Sequence, residues 1–241
     1  MRPDRRPKFY RFDALTDVLL SRDFQVHTLW TDGKGTVREV LQKASDRKVR
    51  EIAFTEHARH TSTYYPEFFA EIDREAKDFP DLTVYRGFEV KITDFDGNLD
   101  ISDDMRAKAE IILASVHSFP LRDGSGVISP KTVDAAEATR TERDLSLGAI
   151  RAGKGDVMSH PGGMSMRFHG GFPLEYYEEL LDAIRDTDMA FEFNHSYHAP
   201  ILPELVALVR QYNPLVSIGS DVHDLDTMGR CRDALQDLLR K

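Results

Sequence analysis

Residues 23–57 read DFQVHTLWTDGKGTVREVLQKASDRKVREIAFTEH, an apolar run, an amphipathic stretch and a second apolar run in succession. FQVHT, from Phe24 to Thr28, predicts a strand. From about Thr36 onward, Val37, Val40, Leu41 and Ala44 fall on one face of a helix. EIAF, from Glu51 to Phe54, predicts the next strand. Strand, helix and strand in this order imply parallel neighbours joined by a crossover. Each of the two apolar runs is also closed by an imidazole, His27 in one case and His57 in the other.

The same alternation continues along the chain. Phe69, Ile72, Ala76 and Phe79 keep a helical period until Pro80 stops it. LTVYRGFEV (Leu82 to Val90), IILASVH (Ile111 to His117), DVMSH (Asp156 to His160), MAFEFN (Met189 to Asn194) and LVSIGSD (Leu215 to Asp221) bring the strands to seven. Later helices carry one stripe of Leu174, Tyr177, Leu181 and Ile184, and another of Met228, Cys231, Leu235 and Leu238. These stripes read as core, which makes Cys231 a small buried residue and not a nucleophile. Seven such units predict a single-domain α/β protein closed into a (β/α)7 barrel, with a doubly wound open sheet as the alternative. Leu121 to Ala152 gives helix without an evident strand. Residues 1–20 predict an N-terminal arm ahead of a domain over 21–241. Arg2, Arg5, Arg6, Lys8 and Arg11 make the arm a solvated tail on the plainer reading, and an anion-binding or subunit-contacting arm on the sharper one.

Composition narrows the function. With 32 Lys plus Arg against 41 Asp plus Glu, the 241-residue chain carries a net charge of −9. This argues against nucleic acid as the main partner. One cysteine cannot form an internal disulfide, no apolar run is long enough to span a membrane, and no apolar segment follows the basic N-terminus. The expected setting is the cytoplasm, with no membrane partner.

Ionisable residues collect where the apolar runs end: His27, His57, Glu89, His117, His160, and Asp221 with His223. In a parallel barrel these ends open on one face, so the groups converge. Buried together they would each need a partner to offset desolvation, and divalent ions, which accept imidazole and carboxylate ligands jointly, supply one.

In order along the chain, VHTLWTDGKGT, TEH, GFEV, SVHS, SHPG and GSDVH resemble the motifs of the PHP (polymerase and histidinol phosphatase) superfamily over about Asp23 to Gly229. The stretch from Gly87 to Ser118 is most similar to the stand-alone PHP phosphoesterases and to the PHP domain of bacterial family X DNA polymerases. The resemblance implies a distorted (β/α)7 barrel with two or three divalent ions (Zn, Mn or Fe) at its C-terminal face. Carried over by position, it places one ion on His27, Glu89 and Asp221. A second would lie on Glu89, His117 and His160, with Glu89 bridging, and a third on Asp32, His57 and His223. Asp32 enters only through the resemblance. Gln25 stands where the family has a His ligand, a weaker amide donor. Glu56 stands where the family often has Asp and is expected to orient a ligand.

Ions so placed imply a phosphoesterase, in which a hydroxide generated between them attacks a small phosphomonoester of histidinol phosphate or nucleotide type. Glu89 is then the central catalytic carboxylate, Arg167 a phosphate anchor, and His195 or His198 a general acid. Arg59, Arg167, His169 and His198 are the expected substrate contacts, with His60 and Arg122 as further loop candidates. SHPGGMSMRFHGG reads as a long glycine-rich loop; neither it nor GKG at Gly33 to Gly35 has nucleotide-loop spacing. The alternatives are a 3′–5′ exonuclease-type phosphodiesterase, which the net charge disfavours, and a degenerate, non-catalytic scaffold because of Gln25.

Overall fold

The computed structural model describes residues 2–240. Seven strands, β1 (Arg22–Val26), β2 (Glu51–Ala58), β3 (Thr83–Lys91), β4 (Ile111–Ser115), β5 (Val157–Met158), β6 (Ala190–Asn194) and β7 (Leu215–Gly219), run parallel in sequence order. Beyond β7 the chain returns to β1 at a single bridge, Val26 to Val222, where His27 N–H donates to Val222 O (2.9 Å) and Val222 N–H to Gln25 O (3.1 Å). The sheet is thus the closed, distorted barrel and not the open doubly wound alternative.

The predicted helix after β1 is α1 (Val37–Asp46), started by Thr36 and Glu39 in a reciprocal capping box. Those longer than about one turn that follow are α2 (Tyr65–Glu75), α3 (Asp103–Lys108), α4 (Ala135–Ala152), α5 (Gly163–His169), α6 (Leu174–Ile184), α7 (Leu202–Tyr212) and α8 (Arg230–Leu239). The segment between Leu121 and Ala152 contributes α4 and part of a short antiparallel hairpin, Phe119–Pro120 with Val127–Ile128. Residues 163–169, expected as loop, form α5. Leu174, expected in the core stripe of α6, is exposed.

Alternation along the strands sorts side chains between the barrel's inside and outside. Ile52 and Phe54 of β2 and Val84 and Phe88 of β3 pack outward, whereas Phe24, Ala53, Tyr85, Ile111, Leu113, Val157 and Ala190 form a separate apolar cluster. Phe9 of the arm packs on that cluster, its ring 6.0 Å from Phe24. The arm is therefore not a solvated tail. Arg2 makes a two-pronged pair with Asp156 (2.8 and 2.6 Å), Arg5 donates to Val84 O (2.6 Å), and Tyr10–Arg11 pairs antiparallel with β7. No helix among the described residues is long and apolar enough to cross a membrane.

The β1–β7 seam has one further clasp. Asp23, fully buried, accepts from Ser220 N–H (2.8 Å) and Gly229 N–H (3.0 Å). Burial, only partly opposed by these hydrogen bonds, pushes its pKa up to about 6 from 3.8. The folded state therefore holds a proton that the unfolded chain has released between about pH 4 and pH 6, and stability falls across that window as pH rises. Asp23→Asn removes this titration. Denaturant unfolding at pH 4 and pH 7 is expected to show the difference between variant and parent move by about 2–3 kcal/mol in the variant's favour.

Candidate metal centre

Glu89 lies at the middle of the barrel mouth, 2% exposed, and its register partner on the neighbouring strand is His57. Its Oε1 accepts from Gln25 Nε2 (2.9 Å) and Ser115 Oγ (2.6 Å), and lies 2.8 Å from His160 Nε2 and 3.2 Å from His117 Nε2. Its Oε2 is 3.0 Å from His57 Nδ1 and 3.4 Å from His27 Nε2. β3 and β4 approach closely enough for this because residue 87 is glycine; a Cβ there would sit 2.2 Å from Ile111 O.

The remaining donors surround this carboxylate. Asp221 Oδ1 is 3.4 Å from His27 Nε2 and 3.3 Å from His223 Nδ1. Asp32 bridges the outer edge, 3.4 Å from His57 Nε2 and 3.3 Å from His223 Nε2. Asp32 is delivered by a turn that packs on the strand end, where a Cβ on Gly33 would meet His27 O at 2.4 Å. Glu56 fixes that turn, accepting from Thr28 N–H (2.7 Å), Thr28 Oγ1 (2.5 Å) and Thr31 Oγ1. Two of the donors, His160 and Asp221, have positive φ (29° and 53°), a strained conformation for non-glycine residues that clusters at functional sites.

This arrangement fits divalent cations. His27 has a fully buried side chain, and neither ring nitrogen makes a well-formed hydrogen bond although carboxylates flank it. His27, Asp32, His57 and His223 can each aim one atom at a common point, as can His57, Glu89 and His117. The carboxylates favour positive charge on two of the imidazoles. Burial disfavours the charged imidazole of His27, but Asp221, Glu89 and Glu56 outweigh it and push its pKa up to about 9. His160 reaches about 9 in the same way, burial being outweighed by Glu89. Glu89, despite burial, is held well below the usual carboxylate range by His117, His160 and His57.

Of the expected substrate contacts, Arg167 on α5 lines the cavity above the donors together with Tyr197, Met164 and Phe168. Arg59 lies on the flank beside His57, His117 and Lys91. The other basic residues point elsewhere. His198 is buried, with Nε2 2.9 Å from Pro161 O and Nδ1 accepting from Asn194 N–H, and burial pushes its pKa down to about 4. His195 lies beside Arg230 and Asp233 of α8, and His169 bonds Pro130 O (3.0 Å). His60 pairs with Asp100, and Arg122 with Asp144. His198 and His169 are thus held by backbone carbonyls, and His195 is not among the residues that line the cavity. The one-turn helix His195–His198 turns Tyr197 toward the cavity instead, with its ring 4.9 Å from His160. Burial raises the Tyr197 phenol, more than Arg167 beside it lowers it, so it stays a protonated donor.

Two buried carboxylates escape sequence reasoning. Glu142 of α4 accepts from Met164 N–H (2.9 Å), Ser165 N–H (2.8 Å) and Ser165 Oγ (2.6 Å), capping the start of α5. Glu192 of β6 accepts from His160 N–H (2.7 Å) and Ser159 Oγ (3.1 Å).

A family model described as PHP domain matches residues 23–196, and the chain belongs to the PHP-domain family. It is 23% identical over 214 residues to the DNA polymerase/3′–5′ exonuclease PolX of Bacillus subtilis, covering 86% of this chain but only 35% of that protein. A probable phosphatase of Caldicellulosiruptor bescii is 24% identical over 81% of this chain and 76% of its own. Among solved structures, a putative histidinol phosphatase of Listeria monocytogenes superposes with a TM-score of 0.71 at 19% identity, covering 88% of this chain and 99% of that one. The histidinol phosphate phosphatase of Lactococcus lactis, solved with zinc, L-histidinol and phosphate, gives 0.67 at 18% identity, covering 91% and 92%.

Glu142→Ala tests the support of the arginine-bearing helix. Leaving two buried N–H groups without an acceptor is expected to cost about 3 kcal/mol in urea unfolding.

Proposed function

We propose that the protein is a metal-dependent phosphatase acting on a small phosphomonoester of histidinol phosphate or nucleotide type. The observation that carries this reading is the meeting of Glu89, Asp32, Asp221 and five imidazoles at the barrel mouth, with the His27 ring buried between carboxylates and neither of its nitrogens hydrogen-bonded. The phosphatase names of relatives and the zinc and phosphate in the Lactococcus structure support it.

His27, Glu89 and Asp221 would hold one divalent ion; Glu89, His117 and His160 a second; and Asp32, His57 and His223 a third, the ions being Zn, Mn or Fe. Such ions supply Lewis acidity, lowering the pKa of water and neutralising charge that develops on phosphate oxygens. The chain does the rest. Arg167 offers a planar, permanently charged donor set to the phosphate from the wall of the cavity. Tyr197 offers an O–H that burial keeps protonated. Glu56 and Ser115 hold the turn after His27 and the Glu89 carboxylate in place, so that little reorganisation accompanies reaction.

Protein prepared without chelator is expected to carry two or more equivalents of divalent metal and to release phosphate from members of a phosphomonoester panel. A metal-free, inert protein would instead mark a non-catalytic scaffold. Glu89→Gln should lower kcat by at least ~100-fold with an unchanged far-UV circular dichroism spectrum. Arg167→Ala should raise KM at least ~10-fold, the loss of one charge-assisted hydrogen bond; an unaltered KM and kcat would remove it from the site. The similarity to PolX keeps 3′–5′ phosphodiester cleavage as a second reading. Activity on an oligonucleotide that falls steeply between about 50 and 200 mM salt, with none on monoesters, would favour it.

A further inference from the structure

Gln25 occupies the position at which the resemblance to PHP proteins expects a metal ligand, yet its hydrogen bonds give it another task. Its side chain is fully buried on β1, two residues before His27. Its Oε1, the only atom that could ligate a hard cation, accepts from Asn194 Nδ2 at 2.6 Å. Its Nε2 donates to Glu89 Oε1 at 2.9 Å.

The direction of this amide follows from its neighbours. Asn194 Oδ1 accepts from Ser196 N–H (3.0 Å), and its Nδ2 also reaches Glu192 Oε2 (3.2 Å). Asn194 must therefore present a donor to residue 25. Turning the Gln25 amide over would set donor against donor at Asn194 and acceptor against acceptor at Glu89, losing two buried hydrogen bonds at once. Glu192 continues the chain, its Oε2 accepting the backbone N–H of His160. One wire of buried polar groups thus links the central carboxylate on β3 to the strained strand end that carries His160.

We propose that Gln25 is a positioning residue and not a metal ligand: locked by Asn194, it donates to Glu89 Oε1 and, with Ser115, fixes that oxygen so that Oε2 lies between His27 and His57. The inference rests on the metal-centre reading above but not on any particular substrate. It makes residue 25 a source of carboxylate orientation, and leaves the cation nearest His27 to the side chains of His27, Glu89 and Asp221.

The test titrates the metal-free 241-residue protein with Zn²⁺ and with Mn²⁺ against a chromophoric chelator, and counts bound equivalents by elemental analysis. Parent, Gln25→Ala, Asn194→Ala and the double variant are compared, and the melting temperature of each metal-free form reports on folding. Expected is an unchanged number of equivalents and an affinity about 10-fold weaker in each single variant, the scale of lost outer hydrogen bonds to metal ligands. The double variant should be no more than about 2-fold weaker than the weaker single one, because both act through one bond. Loss of one equivalent in Gln25→Ala, with Asn194→Ala at parental affinity, would identify residue 25 as a ligand and overturn the proposal. So would parental affinity in both single variants, or affinity losses that multiply in the double. Should Gln25→Ala fail to fold, Asn194→Ala decides alone, since a ligating Gln25 freed from its lock would bind metal at least as tightly. The titration uses no substrate, so failure of the phosphatase reading appears separately, as absent phosphate release from a metal-loaded parent.

Discussion

A carboxylate taken out of water must be given something in return, and Glu89 sets that demand for the whole barrel mouth. Burial alone would drive it to accept a proton. Three imidazoles and two neutral donors prevent this, and the carboxylates in turn push the His27 and His160 imidazoles up to about 9 against their burial. Asp221 and Asp32 extend the pattern outward, each set between two histidines. The mouth is a lattice of opposite charges, buried at His27, Glu89, His160 and Asp221 and open to solvent at Asp32, and its spacing suits cations shared between neighbours.

The barrel makes this possible by dividing its interior. At one end Phe24, Tyr85, Ile111 and Leu113 fill the space, and Phe9 of the arm packs on them. At the other, the same inward-facing register brings Thr55, His57, Glu89, Ser115, Glu192 and Asn194 into the polar layer. Apolar packing carries the stability, which lets the upper layer spend some of it on buried charge. Asp23 and the Val26–Val222 bridge join the two edges where β1 and β7 would otherwise part.

The strands and the donors other than Asp32, which only the resemblance supplies, are legible because each rests on a local pattern. Outward-facing residues keep a period of two, and the imidazoles fall where the apolar runs stop, so His27, His57, His117 and His160 stood out without any knowledge of the fold. What escaped depends on contacts remote in sequence or on a single turn of helix. FNHSYH offers two histidines and a tyrosine, and nothing in it says that a short helix capped by Asn194 directs Tyr197 and not His198 to the cavity. The direction of the Gln25 amide is set by a residue 169 positions away. Glu142 sits mid-helix, where a charged residue ordinarily faces solvent, and its partners begin 22 residues later. The arm misled for a related reason: its arginines satisfy backbone and carboxylate groups of strands distant from it, and such pairing leaves no periodic trace.

The left-handed backbone at His160 and Asp221 has a consequence for how the mouth holds its shape. A side chain beyond glycine held in that region stores on the order of 1–3 kcal/mol, which the surrounding contacts, those of the side chain among them, must offset. When the shared charge that tethers these two imidazole and carboxylate groups is withdrawn, both strand ends gain a reason to relax while the apolar base keeps its shape. If the proposed ions are that tether, their loss is expected to loosen these two strand ends first, with the apolar base left as it was.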